Sequence, residues 1–252
     1  PYLLGGESDL VQRLDAREPW KVVGTWNVHG DEPVADGGDQ NANPVAVVQT
    51  SCSKAYVLRF NRDRIAVIDP SRPGGAGASA TPTSYIDLAG LKQPGDPNFI
   101  EMTSAVYVPS KKKVFVLLGN ADLTRTQTAG GFTKLLCAPS LKPSIIAIDV
   151  DTDKVVSLGG TGPGGGILLD GYNPPLGTPL IYDAAFDRLL VLNAGCNDAL
   201  GDGGAGAIVR RRVEQVDLAT GAVKTLLPLD AMGFPSSLAF VDGSHAAVAF
   251  YF

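Results

Sequence analysis

The chain is poor in the residues that most often announce chemistry. Its 252 residues include two histidines, three cysteines, two methionines and two tryptophans. Neither H-E-x-x-H nor G-x-S-x-G occurs, so no zinc-protease centre and no serine-hydrolase elbow is written into it. No C-x-x-C is present, which argues against zinc held by a cysteine cluster. The odd count of Cys52, Cys137 and Cys196 argues against a fully paired disulfide framework. Charge is sparse as well, at 19% of residues with a net of −5, and basic residues cluster only at Lys111–Lys113 and Arg210–Arg212. Binding a phosphate backbone requires clustered Lys and Arg, so no nucleic-acid partner is expected. No apolar run approaches the ~20 residues of a membrane-spanning helix, so no membrane span is expected.

Glycine (30) and proline (18) are abundant, and 44% of residues are hydrophobic, as in a folded chain of short strands and many turns. The strands repeat. The tetrads "QRLD" (12–15), "AVID" (66–69), "IAID" (146–149) and "EQVD" (214–217) each end in Asp, then turn into a second apolar strand. Those second strands are "KVVGTWNV" (21–28), "TSYIDLAG" (83–90), "KVVSLGG" (154–160) and "AVKTLLPL" (222–229). Two further strands precede most tetrads, as in "SAVYVPSKKK" (104–113) followed by "VFVLLGN" (114–120). Period-two alternation in several runs is the signature of β-structure.

The repeating unit therefore has four strands, a to d. Four-stranded units at roughly 40–50-residue spacing, longer where loops are inserted, indicate an all-β fold, a β-propeller of four-stranded antiparallel blades. The expected layout is a partial blade b-c-d at 1–30, blades at 44–90, 102–160 and 177–230, and a partial blade a-b at 234–252. These seventeen strands do not close a ring of whole blades. The opening Pro1 and the terminal apolar run "HAAVAFYF" read as interrupted ends, so about four blades of a larger ring are expected.

"VDLATGAVKT" and "IDVDTDKVV" resemble the YVTN repeats of bacterial YncE-like and surface-layer propellers. The third strand ends in I/V-D, a T-G-type turn follows, and an apolar strand returns. The motif is strong at 213–225 and 145–156. It is broken at 69–83, where "DPSRPGGAGASATPT" inserts a long Gly/Pro/Ala/Ser loop. This resemblance implies a seven-bladed, extracytoplasmic, usually non-enzymatic propeller, and carries over no catalytic residue.

Asp15, Asp69, Asp149 and Asp217 recur like ligands around a channel, but each sits where an Asp side chain sets a turn by accepting backbone N–H bonds. Turn formation is the better reading. Because strands alternate in direction, a–b and c–d turns share one end of the blades, and b–c and d–a loops share the other. The first end is mostly tight turns. The second carries 29–44, 91–102 and 160–178 between blades, and 121–143 and 196–212 within them. Long loops gathered at one end mark the expected binding face.

On that face Asp31, Asp36, Arg125, Phe132, Tyr172, Asp198 and Asp202 are the candidate binding residues. Phe132 and Tyr172 would either anchor a partner or pack the loops down, and the second is favoured. Cys137 and Cys196 fall in equivalent b–c loops of successive blades, so a disulfide between them is expected to pin two loops lacking regular structure. Cys52 lies on the opposite end. Acidic stretches with glycine (Asp31, Glu32, Asp36 and Asp39; Asn197, Asp198 and Asp202) keep calcium open, although neither fits an EF-hand spacing. Otherwise no cofactor is expected. "GTGPGGG" (160–166) lacks the ending and helix of a phosphate cradle and reads as a flexible loop. His29 and His245 read as surface residues. Arg210–Arg212 reads as a blade edge or rim.

These features favour an extracytoplasmic (periplasmic, surface or secreted), non-enzymatic propeller. It would bind a protein, or a glycan, or serve as a structural subunit of a larger assembly. The alternative is a propeller enzyme, lactonase-like or a metal-dependent hydrolase, which would need polar residues on the innermost strands.

Overall fold

The computed structural model describes residues 1–18, 20–32, 41–74, 78–97, 99–129, 132–138, 140–199, 205–242 and 245–251. The fold is all-β and antiparallel, and the described helical pieces are single 3-10 turns. Sheet 1 comprises β1 (Tyr2–Gly5), β2 (Leu10–Leu14) and β3 (Val22–Asn27). Sheet 2 comprises β4 (Pro44–Gln49), β5 (Ala55–Arg59), β6 (Arg64–Ile68) and β7 (Ser84–Asp87). Sheet 3 begins with β8 (Met102–Val108) and β9 (Lys113–Leu118). A separate hairpin, β10 (Thr126–Ala129) and β11 (Phe132–Leu135), interrupts it. The sheet resumes with β12 (Ser144–Asp149), whose outer edge is shared by β13 (Lys154–Val156) and β14 (Ile167–Leu168).

Sheet 4 follows the same plan. It has β15 (Ile181–Asp183) and β16 (Arg188–Asn193), an inserted hairpin β17 (Cys196–Ala199) and β18 (Ala205–Val209), then β19 (Arg212–Asp217) and β20 (Val223–Pro228). Sheet 5 is the pair β21 (Phe234–Asp242) and β22 (His245–Tyr251). Within each of these sheets strands pair in chain order, as in propeller blades, and among the described residues the sheets do not close into a ring.

The blades stack face to face, and alternation along the inner strands feeds successive cores. Ala55 and Val57 of β5 pack with Val11 and Trp26 of sheet 1, while Tyr56 and Leu58 pack with Met102, Val114 and Ile146 of sheet 3. In the same way Phe115 and Leu117 meet Leu189, Val191 and Val216, and Leu190 and Leu192 meet Leu238 and Val248. Inner strands are therefore buried on both faces and read as continuous apolar runs such as "VFVLL" rather than as alternating ones. Each fully buried Val, Leu or Ile contributes roughly 1.5–3 kcal/mol, which makes these inter-sheet layers the main source of stability.

The recurrent aspartates set turns as expected. Asp15 Oδ1 accepts the N–H of Arg17 at 2.8 Å, Asp69 that of Ser71 at 2.8 Å, Asp149 that of Thr152 at 2.9 Å and Asp217 that of Thr220 at 2.8 Å. Hydrogen bonds from within the turn hold all four carboxyls below the usual carboxylate range.

Two loop expectations are corrected, and the path of a third loop is new. The b–c insertions do not lack regular structure, since each contains a β-hairpin, β10–β11 and β17–β18. The glycine-rich stretch at 160–166 is not a free loop. It folds onto itself through Leu158 N–H to Gly165 O (3.0 Å) and Gly162 N–H to Gly166 O (2.9 Å), spending backbone donors internally. The insertion after Asp69 leaves its own blade and runs beside β3, where Gly74 bridges Thr25 and Ala80 bridges Trp26.

Candidate functional site

Buried polar groups concentrate at the loop end of the sheets, where they grip the chain as it crosses from one sheet to the next. Asp9 Oδ1 accepts the N–H groups of Ala42 (2.7 Å) and Asn43 (3.1 Å). Asp63 accepts that of Ile100 at 3.0 Å, and Glu214 those of Asp170 and Gly171 at 3.1 Å. Ala42, Ile100 and Gly171 are buried, so their N–H groups need a protein acceptor, and Asn43 and Asp170 join them at the edge of the same turns. Entry into the next sheet also repeats. Asn43, Glu101 and Asn173 have left-handed φ of 51°, 55° and 52°, and their carbonyls accept Phe60, Gly119 and Ala194.

That register explains Tyr172. It stands where Ala42 and Ile100 stand in the earlier sheets and, like them, is fully buried. Its ring packs with Ala121, Ala138, Leu141 and Cys196, so Tyr172 fixes loops and is not an exposed anchor.

Above it the two inserted hairpins lie side by side as a crown. Leu136 pairs with Asn197, the N–H of Cys137 reaches Asn197 O at 3.0 Å, and Asn197 Nδ2 reaches Leu135 O at 3.0 Å. The Cys137–Cys196 disulfide locks them, with a Cα–Cα separation of 5.0 Å, while Cys52 is free and exposed at the opposite end. Arg125 is exposed at the base of β10. Phe132 and Asp198 lie in β11 and β17, with side chains outside the described residues, as are Asp36 and Asp202 entirely.

Asp31 belongs to a different place. The segment 27–32 leaves β3 at the loop end and is clamped from beneath. Arg59, fully buried, donates to Val28 O (3.2 Å), His29 O (3.0 Å) and the Glu32 carboxylate. Burial pushes the Glu32 carboxyl up, but the Arg59 hydrogen bond and charge outweigh it and leave the group below its usual range. Glu32 is thus engaged by Arg59. The buried Asp9 receives His29 Nδ1 at 2.6 Å, leaving Nε2 as the ring's remaining polar atom. A cleft of about 550 Å³ opens beside this segment, with Asn27, His29 and Asp31 on one side and Ser79, Thr81 and Tyr85 on the other. Ser79 and Thr81 come from the insertion that runs along β3, tied there by Asn27 N–H to Ala80 O at 2.9 Å.

The loop face is therefore divided: Asp31 lines the cleft between sheets 1 and 2, whereas Arg125, Phe132 and the disulfide belong to the crown over sheets 3 and 4. Among the described residues no three His, Cys, Asp or Glu side chains come together as a metal site. Sequence reasoning missed Asp9 and Arg59, and it read His29 as an ordinary surface residue. Arg59 carried a signal. A charge within the buried run "AYVLRF" must find partners, because an unpaired buried guanidinium is prohibitively costly. Arg211 is a second case. It is 2% exposed and holds Ala194 O and Met232 O, so it is an internal clamp rather than a rim residue.

No family model matches the sequence, and no curated protein matches it. The fold is similar to one seen in a hydrazine synthase. That protein, from Kuenenia stuttgartiensis, aligns at 17% identity with a TM-score of 0.60, over 98% of this chain and 57% of its own. The chain thus spans little more than half of that structure, and likeness at this identity concerns the fold alone.

Proposed function

We propose that the chain is part of an extracytoplasmic, non-enzymatic propeller of the kind the YVTN resemblance implies, and that it docks a protein partner or a neighbouring assembly subunit through the crown. The observation that carries this reading is the disulfide joining two otherwise independent hairpins above the loop end. A bridge closing a 59-residue separation restrains loops that the blades themselves do not need. Disulfides of this kind persist in oxidising compartments, which supports a location outside the cytoplasm. Exposed apolar residues add to it. Leu176 and Met232 on the crossovers into sheets 4 and 5 and Phe234 at the start of β21 are each about half exposed, and Thr178 Oγ1 bonds Ser236 O at 2.9 Å between those segments. Rigid apolar and aromatic contacts of this type dominate protein interfaces.

The test is site-specific photocrosslinking in the native host, with the reactive residue at Arg125, at Leu176 or at Ser53 of the opposite end. Discrete protein adducts from the first two positions and none from Ser53 are expected. Adducts from no position, or equally from Ser53, would overturn the docking role. A cytosolic location with Cys137 and Cys196 reduced in the cell would overturn the compartment.

A further inference from the structure

The cleft between sheets 1 and 2 has a construction that the docking role does not use. Its floor is rigid. Asn27 Oδ1 accepts the N–H of His29 at 2.9 Å, Asp9 orients the imidazole, and Arg59 holds the carbonyls of Val28 and His29. Gly30, at φ +82°, has no room for a side chain, because a Cβ there would lie 2.5 Å from Arg59 Nη1. The facing wall is brought from another sheet by an insertion laid along β3. Two segments distant in sequence, 27–31 and 79–85, thus converge on one cavity of the size that small ligands occupy, roughly 300–1,000 Å³.

The lining defines the ligand's chemistry. An amide (Asn27), hydroxyls (Ser79, Thr81), the Asp31 carboxylate and His29 Nε2, an acceptor in the neutral ring and a donor in the imidazolium, offer mixed donors and acceptors, with Tyr85 as an aromatic surface. Arg59 lies 4.7 Å from the Tyr85 ring centroid and is buried, so that side of the ring is already occupied by the protein. Asp31, 4.0 Å from Arg64, and Asp9, paired with His29, offset those basic groups, so the lining offers an anion no uncompensated positive charge. A purely apolar ligand would leave these polar groups desolvated and unpaired. What fits is a neutral molecule dense in hydroxyl groups, each able to donate and accept.

We infer that the cleft formed by Asn27, His29, Asp31, Ser79, Thr81 and Tyr85 binds a neutral oligosaccharide. Because the floor is held in place by buried groups, little ordering is required on binding. The inference goes beyond the docking role and is independent of it, since crown and cleft share no residue.

Isothermal titration calorimetry and saturation-transfer NMR with cellotetraose, chitotetraose, xylotetraose and maltotetraose test it on the wild-type chain. At least one is expected to bind in the micromolar to millimolar range. His29→Ala and Asp31→Ala each weaken that binding about tenfold, the worth of one hydrogen bond to a strongly polar group, and Thr126→Ala in the crown leaves it unchanged. Asp31→Ala, at an exposed side chain, is expected to unfold at the wild-type temperature. His29→Ala removes a partner of the buried Asp9 and is expected to unfold cooperatively at a lower temperature, which still confirms that it is folded when binding is measured. Failure of all four sugars to bind, or binding that survives both substitutions, overturns the proposal. Loss of crosslinks from the crown would leave it standing.

Discussion

Glu101 and Glu214 are buried carboxyls at the loop end of neighbouring sheets, 2% and 0% exposed, yet they are treated differently. Glu214 is fully engaged. Oε1 accepts Asp170 and Gly171 N–H, and Oε2 accepts Gly171 N–H at 3.1 Å and Asn193 Nδ2 at 2.9 Å. In Glu101, Oε2 accepts only the N–H of Ala121 at 2.7 Å, and Oε1 has no hydrogen-bond partner among the described residues. Burial pushes both carboxyls up, Glu101 to about 8. A buried carboxylate is tolerated in proportion to the donors aimed at it. Glu214 therefore serves as a fully used acceptor for the crossover backbone, while Glu101, with far fewer donors, is poised to stay protonated at neutral pH.

The largest expected effect comes from breaking the well-partnered site. Aligning Asp149 with Asp217 places Glu214 where sheet 3 has Ile146 and Asn193 where it has Leu118. Glu214→Ile copies the neighbouring sheet's residue but orphans the Asp170 and Gly171 N–H groups. A loss of about 3 kcal/mol or more is expected in urea unfolding. Adding Asn193→Leu completes the apolar pair but does not recover the loss, because the backbone donors remain. A double variant as stable as wild type would show that side-chain packing, not the grip on the crossover, is what Glu214 supplies.

A smaller effect comes from the bridge that spans both neighbourhoods. The disulfide cluster includes Ala121, whose N–H is the donor to the Glu101 carboxyl among the described residues, and Tyr172, next to Gly171 at Glu214. Replacing Cys137 and Cys196 by Ser is expected to cost about 2–4 kcal/mol. The comparison also predicts where the loosening shows. Amide exchange should rise at 121–143 and 196–209 while the inner strands β9 and β16 stay protected. Uniform loss of protection would mean that the crown is integral to the blades.

Much of this architecture was legible in the sequence, and the reason is periodicity. The apolar runs and the turn aspartates recur because every blade needs the same inner strands and the same outer turn, so "IAID" and "EQVD" report their geometry locally. The disulfide was legible for the same reason: equivalent loops of successive blades must be neighbours. The cleft was not. It joins Asn27 and His29 with Ser79 and Thr81 through an insertion that abandons its own blade, and nothing in "DPSRPGGAGASATPT" encodes that path. Tyr172 was misleading for a related reason. An aromatic in a long polar loop looks available until the register shows that it occupies the core position of Ala42 and Ile100.

The smallest effect tests the poorly partnered member of the pair. Glu101 has a folded-state pKa of about 8, above the ordinary value of 4.5. The unfolded chain therefore loses this proton first as pH rises. Stability from this group is complete below about pH 4.5 and declines through about pH 8. The turn aspartates run the other way. Their lowered values make stability fall only in acid, as ionisation is lost through the native-state pKa. Glu101→Gln removes the alkaline penalty, worth at most about 1.4 kcal/mol per pKa unit, but adds an amide with its own buried donors. The net expected gain is about 1–2 kcal/mol at pH 9 and none at pH 5, read as the difference between unfolding curves at the two pH values. Equal effects at both would mean that Glu101 is ionised in the native chain, with its second oxygen supplied by a donor such as a bound water, and the contrast with Glu214 would vanish.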